Sequence, residues 1–283
     1  MSKKILVIGA SSKVGAALVE LLAEAGEAVR AASRTVLTGL AAKAEHVTFD
    51  YDDAGTWDGA LKGVDRVYVV ARPADLEADQ VVNPFVDKAV AAGVKRIVLM
   101  TALGVDASDD IPLRKAELHL MAQPIEHVIL RPTWFDQNFS VGFIGDSIRS
   151  AGGFYLPAED AKVGFIDARD IAAVAAKALT EDGHAGRIYP LTGGQALTHT
   201  DAATIISDVA GKDITYTSVP EDDARKGLRS QGWPEPAVEY MITLFSQIRA
   251  GAAANTTDTV QQVLGRAPIS FEQFARDNAD SWR

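Results

Sequence analysis

A chain of 283 residues with 47% hydrophobic and 23% charged side chains has the make-up of one large α/β domain, or of a nucleotide domain with a smaller substrate part, and needs no disulfide or metal to fold. Its formal net charge of −10 repels phosphate backbones, which removes general nucleic-acid binding and obliges any anionic ligand to be held by a local site. With no cysteine, and with no i,i+4 pair among His46, His119, His127, His184 and His199, disulfide scaffolds, thiolate chemistry and a metal site are not expected.

The first segment places two lysines before a short apolar run, Ile5–Ile8. That run is shorter than the apolar core of a secretory signal, about 7–15 residues, and reads as a first buried strand. No later stretch approaches the roughly 20 apolar residues that cross a bilayer, so a cytoplasmic protein with no membrane partner is expected. Further strands are predicted at Ala28–Ala32, His46–Phe49, Arg66–Val70, Arg96–Met100 and His127–Leu130. Their nearly continuous apolar character suits burial on both faces.

Between the first two strands, Val14, Ala17, Leu18, Leu21 and Leu22 recur at helical spacing, and Gly26 provides a stop. A second helix is predicted from Asn83 to Ala92, ending at Gly93. This alternation predicts an α/β fold, a Rossmann-type parallel sheet with helices on both faces. Beyond Arg131, proline, glycine and aromatic residues increase, which predicts a smaller, mostly helical C-terminal substrate region. The expected division is 1–131 and 132–283, with 163–180 returning to the first part. There Phe165–Ile166 reads as a strand end and Asp167–Leu179 as an Ala-rich helix. Thr198 and Asp201 form a capping-box pattern before a helix carrying Ile205, Ile206 and Val209.

The segment VIGASSKVG, Val7 to Gly15, follows the first strand and opens the first helix. A dinucleotide needs a tight turn, close backbone approach to its pyrophosphate and close helix packing, which spaced glycines supply. Gly9 and Gly15 hold the outer positions; Ser12 replaces the middle glycine and brings a hydroxyl able to donate to phosphate. Ser11, Lys13 and Val14 complete the loop, Lys13 being either a second cation for the phosphates or an exposed lysine at a helix start. The bland alternative for the whole segment is a strand-to-helix turn with no ligand.

An NAD site usually ends its second strand on a carboxylate. Here VRAASR ends on Ser33 and Arg34, a hydroxyl and a planar cation suited to the 2′-phosphate of NADP. A solvated surface arginine is the competing reading of Arg34. The first part is therefore expected to bind NADP(H). Open sheets bind ligands outside the carboxyl ends of their strands. That rule also selects Asp50 and Tyr51 for the adenine, then Ala71, Arg72, Pro73, Thr101 and Ala102 along the cofactor, and Leu103 toward a substrate. Asp50 reads equally as a helix cap before Ala54.

With these residues the chain resembles the NmrA-like, atypical short-chain dehydrogenase/reductase family over nearly its whole length. GASSKVG is similar to the family's GATGKVG loop, AAGVKRIVLMTA to its fifth strand, and RKAELHL with VILRPTWFDQNFS to its lysine helix and RPxxFxxN stretch. Within the family, VRAASR, LRPTWFDQNFS and the closing AAANTTDTVQQVLGRAPISFEQFARDNADSW resemble most the bacterial relatives of festuclavine and agroclavine dehydrogenases, the ergot-alkaloid reductases. The resemblance implies an NAD(P)H-binding domain, a smaller substrate region, and reduction of imines, quinones or dyes. It equally covers members that sense dinucleotide without turnover.

Ordinary short-chain dehydrogenases use a Tyr-x-x-x-Lys pair to move the carbonyl proton. None of the tyrosines here, Tyr51, Tyr68, Tyr155, Tyr189, Tyr216 and Tyr240, has a lysine four residues on, and Lys115 has Ile111 where the tyrosine would stand. Simple ketone chemistry and sugar-nucleotide epimerisation are disfavoured accordingly. A protonated imine or a quinone needs mainly orientation over the nicotinamide. The expected function is an NADPH-dependent reductase of an electron-poor small-molecule acceptor, an imine or iminium, quinone or dye; the alternative is a non-catalytic NADP(H)-binding redox sensor.

Lys115, the one catalytic candidate, is expected beside the nicotinamide ribose. Arg131, Trp134, Phe135 and Asn138 are expected on the acceptor side, with aromatic faces suited to a flat or cationic molecule. Against this, Trp134, Phe135 and Phe139 have the spacing of a helical core stripe, and Lys115 beside Glu117 fits a solvated face. Asp136 stands where relatives often carry methionine or glutamate. Trp233, with Tyr240, Met241 and Phe245 on a later helix, either roofs a pocket or forms a subunit interface, so an oligomer is left open.

Overall fold

The computed structural model describes residues 4–282; Met1–Lys3, which opens the expected first part, and Arg283, which closes the second, lie outside the described residues. Along the chain run β1 (Lys4–Ile8), α1 (Lys13–Glu24), β2 (Ala28–Ser33), β3 (Ala44–Thr48), α2 (Trp57–Leu61) and β4 (Val64–Val70). Then follow α3 (Ala78–Ala91), β5 (Arg96–Met100), α4 (Pro112–Met121), β6 (Glu126–Pro132), α5 (Gly142–Ala151), β7 (Gly153–Leu156) and α6 (Ala168–Thr180). The remainder is β8 (Arg187–Leu191), α7 (His199–Ala210), β9 (Thr215–Ser218), α8 (Glu221–Ser230), α9 (Glu235–Arg249), α10 (Thr259–Leu264) and α11 (Phe271–Asp277). The chain divides into two compact units, one holding residues up to Pro132 together with Ala168–Leu191, the other Thr133–Asp167 and the residues from Thr192. Among the described residues no helix is long and apolar enough to cross a membrane.

The first unit is a seven-stranded sheet in the order β3-β2-β1-β4-β5-β6-β8, parallel at every pairing. Successive strand residues point to opposite faces. Leu6, Ile8, Val67, Val69, Ile97 and Leu99 meet Trp57 of α2, Phe85 of α3 and Ala116 of α4 in one cluster. Ile5, Val7, Tyr68 and Val98 are as fully buried, on the face covered by α1 and α6, which pack on one another, α1 over β1, β2 and β3 and α6 over β4, β5 and β6. Helices on both faces explain why the central strands read as unbroken apolar runs. Strand order reverses between β1 and β4, the switch point beside which open parallel sheets bind ligands.

Several elements differ from the expectation. β3 begins and ends earlier than His46–Phe49 because it is a half-exposed edge strand with no apolar run to mark it. α3 begins five residues before Asn83 and keeps Pro84 inside. The missing donor is tolerated where Val82, Phe85, Val86 and Ala89 are wholly buried. β8, unforeseen, contains Pro190 and pairs only with β6; an edge position is where a sheet accepts proline. Phe165–Ile166 is not a sheet strand, since Ile166 makes only an isolated bridge with Phe135.

The second unit joins α5 and α7–α11 to a two-stranded parallel ribbon of β7 and β9. Its core gathers Phe139, Phe154, Phe165, Phe245, Phe271, Phe274 and Trp282. The buried Trp282 indole donates to the Phe139 carbonyl at 2.7 Å. The capping box opens α7: Thr198 Oγ1 accepts from Asp201 N–H at 3.0 Å, and Asp201 Oδ2 accepts from Thr198 N–H at 2.9 Å. Hydrogen bonds to its carboxyl from the Thr198 backbone, then from the Thr198 side chain, hold Asp201 below its ordinary value.

Candidate dinucleotide site

At the end of β1 the chain turns at Gly9, whose φ of +70° lies in the left-handed region that side chains disfavour. Ser12 N–H closes the turn onto the Gly9 carbonyl at 2.8 Å. A β-carbon on Gly9 would stand 2.9 Å from Val70 Cγ1, and one on Gly15 would stand 2.1 Å from the Gly9 carbonyl oxygen. The two glycines thus let the first turn of α1 sit directly on the turn that precedes it. Ser12, in the middle position, caps α1: its Oγ accepts from Gly15 N–H at 3.0 Å, which leaves the hydroxyl proton to be donated elsewhere.

Val14 is buried, so only its backbone can face a ligand, whereas Ser11 and Ser12 are exposed. No acidic side chain stands in the first turn of α1, so nothing in that turn offsets the helix's positive end. Burial lowers the Lys13 ammonium from its ordinary value.

β2 ends on Ser33, which is buried and donates its hydroxyl to the Thr35 carbonyl, followed by the exposed Arg34. After β3, Asp50 does not cap the Ala54–Thr56 turn; Asp53 does, accepting from Gly55 N–H at 3.0 Å. Asp50 Oδ1 instead accepts from Asp52 N–H at 3.1 Å, and its carbonyl accepts from the Trp57 indole at 2.8 Å. Tyr51 is buried, edge-on to Phe49 and Phe85, and its hydroxyl donates to the Val70 carbonyl at 3.0 Å. Desolvation pushes that phenol well above its ordinary value. The ring is therefore core, and its hydroxyl pins the end of β4.

The next residues, Ala71, Arg72 and Pro73, leave β4 at that pinned point. Arg72 spans two loops, with Nε 2.9 Å from Asp75 and Nη1 2.6 Å from Asp52. Its guanidinium lies above the ordinary value, chiefly through the bond to Asp75. Ala74, next in line, holds a φ of 54°, a conformation that costs a residue with a β-carbon about 1 kcal/mol or more.

At the end of β5, Thr101 Oγ1 donates to Glu117 Oε1 at 2.7 Å. Arg131 of β6 grips the same carboxylate through Nε at 2.9 Å and Nη2 at 2.7 Å, and Arg114 adds Nη1 at 3.0 Å. Arg131 Nη1 also meets Asp106 at 2.6 Å, and these partners, Glu117 first, raise its guanidinium above the usual range. Glu117 is fully buried. Arg131 is thus consumed in a clamp that ties β5, α4 and β6 together, which corrects its expected role on the acceptor side. The sequence places Glu117 beside Lys115 on a solvated face, and the structure corrects that, since Glu117 is fully enclosed by its partners; its one visible trace is the i,i+3 spacing to Arg114. Lys115 lies on the exposed side of α4, and Ala102 and Leu103 follow Thr101, Leu103 N–H reaching the Pro132 carbonyl at 2.9 Å.

Apart from Lys115, which lies on α4, the residues expected to touch the cofactor follow the carboxyl ends of β1, β2, β3, β4 and β5 of one sheet. Of the residues expected on the substrate side, Leu103 lies in the first unit and Trp134, Phe135, Asn138 and Trp233 in the second. Trp134 and Phe135 are half-buried and extended, and Asn138 sits in a 3₁₀ turn, Asp136–Phe139, so the helical stripe with Phe139 does not form. Trp134 packs on Phe245, with ring centres 5.3 Å apart, and Trp233 stands edge-on to Phe143 at 5.9 Å.

The model of the NmrA-like family matches residues 1–267. The chain belongs to the NmrA-like family. It is 33% identical to an NAD(P)H azoreductase of Xenophilus azovorans, over 97% of this chain and 98% of the relative. It is 32% identical to an agroclavine dehydrogenase of Claviceps fusiformis, over 98% of both. Among solved structures, the NADPH complex of an Escherichia coli NADPH-dependent quinone oxidoreductase superposes with a TM-score of 0.83 at 25% identity, over 96% of this chain and 99% of that one. The similarity first read in the GASSKVG loop and the RPTWFDQNF stretch thus extends along nearly the whole chain.

Proposed function

We propose that this protein is an NADPH-dependent reductase that transfers hydride to an electron-poor small-molecule acceptor, an imine or iminium, a quinone or a dye. The observation that carries the reading is the pair of neighbouring strand ends: a glycine turn stripped of side chains at β1, and at β2 an exposed guanidinium with no carboxylate in the ribose position. The azoreductase, the clavine dehydrogenase and the quinone oxidoreductase among its relatives support the same class of activity.

The residues present fit NADP(H). Only glycine leaves room between Gly9 and Gly15, and that backbone cradle, with Ser11, Ser12, Lys13 and Val14, is assigned to the pyrophosphate at the positive end of α1. Arg34 and the Ser33 backbone are assigned to the 2′-phosphate, Asp50 and the Tyr51 backbone to the adenine. Ala71, Arg72, Pro73, Thr101 and Ala102 are assigned along the rest of the coenzyme, and Lys115 to the nicotinamide ribose. The bound nicotinamide supplies the hydride. The chain's contribution is orientation and water exclusion, with Thr101 fixed by the Glu117 clamp.

No Tyr-x-x-x-Lys pair is available to protonate an alkoxide, and the buried phenols of Tyr51 and Tyr68 are held well above their ordinary values by desolvation. Acceptors that need no such proton, such as an iminium or a quinone, follow from that absence. Leu103 of the first unit is assigned to contact with the acceptor; within the second unit, Trp134, Phe135, Asn138 and Trp233 are separately assigned to hold a flat or cationic molecule. Steady-state assays with a cyclic imine, a benzoquinone and an azo dye test the reading; NADPH oxidation no faster than without enzyme in all three rejects it.

The absent proton donor also favours a second reading, a sensor that binds NADP(H) and turns nothing over. Sensing requires unequal affinity for the two redox forms. Equal dissociation constants for NADP and NADPH in calorimetric titrations would remove it.

A further inference from the structure

Two hydroxyls at the carboxyl ends of the sheet are wired in opposite senses. Ser12 Oγ accepts from Gly15 N–H at 3.0 Å, so its proton is free to be donated to a ligand. Thr101 Oγ1 lies 2.7 Å from Glu117 Oε1 and 3.4 Å from the Leu130 carbonyl oxygen. The direction of the shorter bond follows from what else the carboxylate touches. Its Oε1 meets Arg131 Nε at 2.9 Å, and its Oε2 meets Arg131 Nη2 at 2.7 Å and Arg114 Nη1 at 3.0 Å. A guanidinium donates and never accepts, so both oxygens of Glu117 act as acceptors, as does the Leu130 carbonyl. The Thr101 hydroxyl is therefore the donor.

A hydroxyl has one proton and two lone pairs. With the proton committed to Glu117, and with no described residue donating to Oγ1, what Thr101 can offer a ligand is an acceptor. Its backbone is fixed as well: Thr101 follows β5 directly, and its N–H donates to the Leu130 carbonyl at 2.8 Å. Thr101 is 7% exposed, which suits contact with one small polar group and not with a ring.

This pair of polarities matches a ligand that is anionic where it meets β1 and carries a donor where it meets β5. In the dinucleotide the anionic part is the pyrophosphate, assigned to the Gly9–Gly15 turn. β5 lies on the far side of β4 from β1, toward the nicotinamide end, and the N–H group of the nicotinamide ring is its carboxamide amine.

We propose that Glu117 is a positioning residue that holds Thr101 as an obligate acceptor for the carboxamide N–H of the nicotinamide, so that the ring is oriented by a carboxylate that never touches it. This role rests on the coenzyme reading given above and adds to it the group that β5 recognises.

Calorimetric titration of the full chain with NADP and with its acetylpyridine analogue, in which a methyl ketone replaces the carboxamide, tests the role. The parent is expected to bind NADP about tenfold more tightly, because the ketone brings Thr101 a second acceptor or a methyl group in place of a donor. Thr101→Val keeps the shape and removes the acceptor; it is expected to bring the two affinities within about twofold, whereas Thr101→Ser keeps the parent's preference. In Glu117→Gln the amide oxygen stays with the guanidinium groups and the amide N–H turns to Thr101, whose own proton is released toward the ligand. The preference is then expected to pass to the ketone by about threefold. A side chain that merely supported the fold would weaken both compounds alike. Should Glu117→Gln fail to fold, the two Thr101 variants carry the test. Binding of neither compound by the parent removes the coenzyme reading and this role together. Equal affinity of the parent for both, or an undiminished preference in Thr101→Val or in folded Glu117→Gln, overturns this role and leaves the coenzyme reading standing.

Discussion

Glu117 in the first unit and His199 in the second are equally buried, at 0% and 1% exposure, yet the two units handle an ionisable side chain in opposite ways. Around Glu117 the fold gathers two guanidinium groups and a hydroxyl, all within 3.0 Å. Around His199 it gathers rings: Phe139, Phe154, Phe165 and Tyr216 lie with centres 5.3–6.4 Å away, and Nδ1 has no hydrogen-bond partner. Burial then lowers the imidazole to about 4. A buried charge survives with partners, and without them the group is held neutral. The first arrangement fixes the ends of β5 and β6 beside the proposed coenzyme; the second serves packing.

The largest expected effect breaks the clamp. Glu117→Ala leaves the Arg131 guanidinium and the Thr101 hydroxyl facing a void, and removing one partner of a buried pair typically costs about 3–5 kcal/mol. Urea unfolding measures it, and a loss below about 1 kcal/mol would mean that the clamp does not hold the strand ends. Next is the pH response of the second unit. His199 binds a proton more readily unfolded than folded, so its contribution is complete above about pH 6.5 and is lost as pH falls toward about 4, by about 3 kcal/mol in all. Stability measured across that window should slope less in His199→Phe than in the parent, and identical slopes would remove His199 as the cause.

A steric case sharpens the comparison. Gly15→Ala forces a β-carbon against the Gly9 carbonyl, which should cost about 1–3 kcal/mol and abolish NADPH binding in the same calorimetric titration; binding at the parent's affinity would refute the cradle. The smallest stability effect belongs to an exposed charge. Arg34→Ala should change unfolding by less than about 0.5 kcal/mol while weakening NADPH about tenfold or more and NADH hardly at all. Equal losses for both coenzymes would contradict the 2′-phosphate assignment.

What could be read in the sequence follows the range of the interactions. The Gly9–Gly15 turn, the strands buried on both faces and the Thr198–Asp201 cap are set by neighbours a few residues apart, and each leaves a local pattern. The Glu117 clamp joins residues 14 and 16 positions apart, through strand pairing that leaves no periodic trace. β8 was hidden because an edge strand tolerates proline and half-exposed polar residues. Trp134 and Phe135 imitated a helical stripe, but the chain there is extended and then turns as a 3₁₀ segment. Tyr51 was correctly placed at a strand end, yet burial turned its ring into the core and left only its backbone for the ribbon of assigned residues.

The distribution of indoles has a practical consequence. Trp57, whose ring nitrogen is bound to the Asp50 carbonyl, is the single tryptophan of the first unit, whereas the second contains Trp134, Trp233 and the wholly enclosed Trp282. Replacing Trp57 by phenylalanine would leave intrinsic emission reporting on one half of the molecule, so that melting monitored by fluorescence and by far-ultraviolet dichroism would reveal whether the halves come apart together or in sequence.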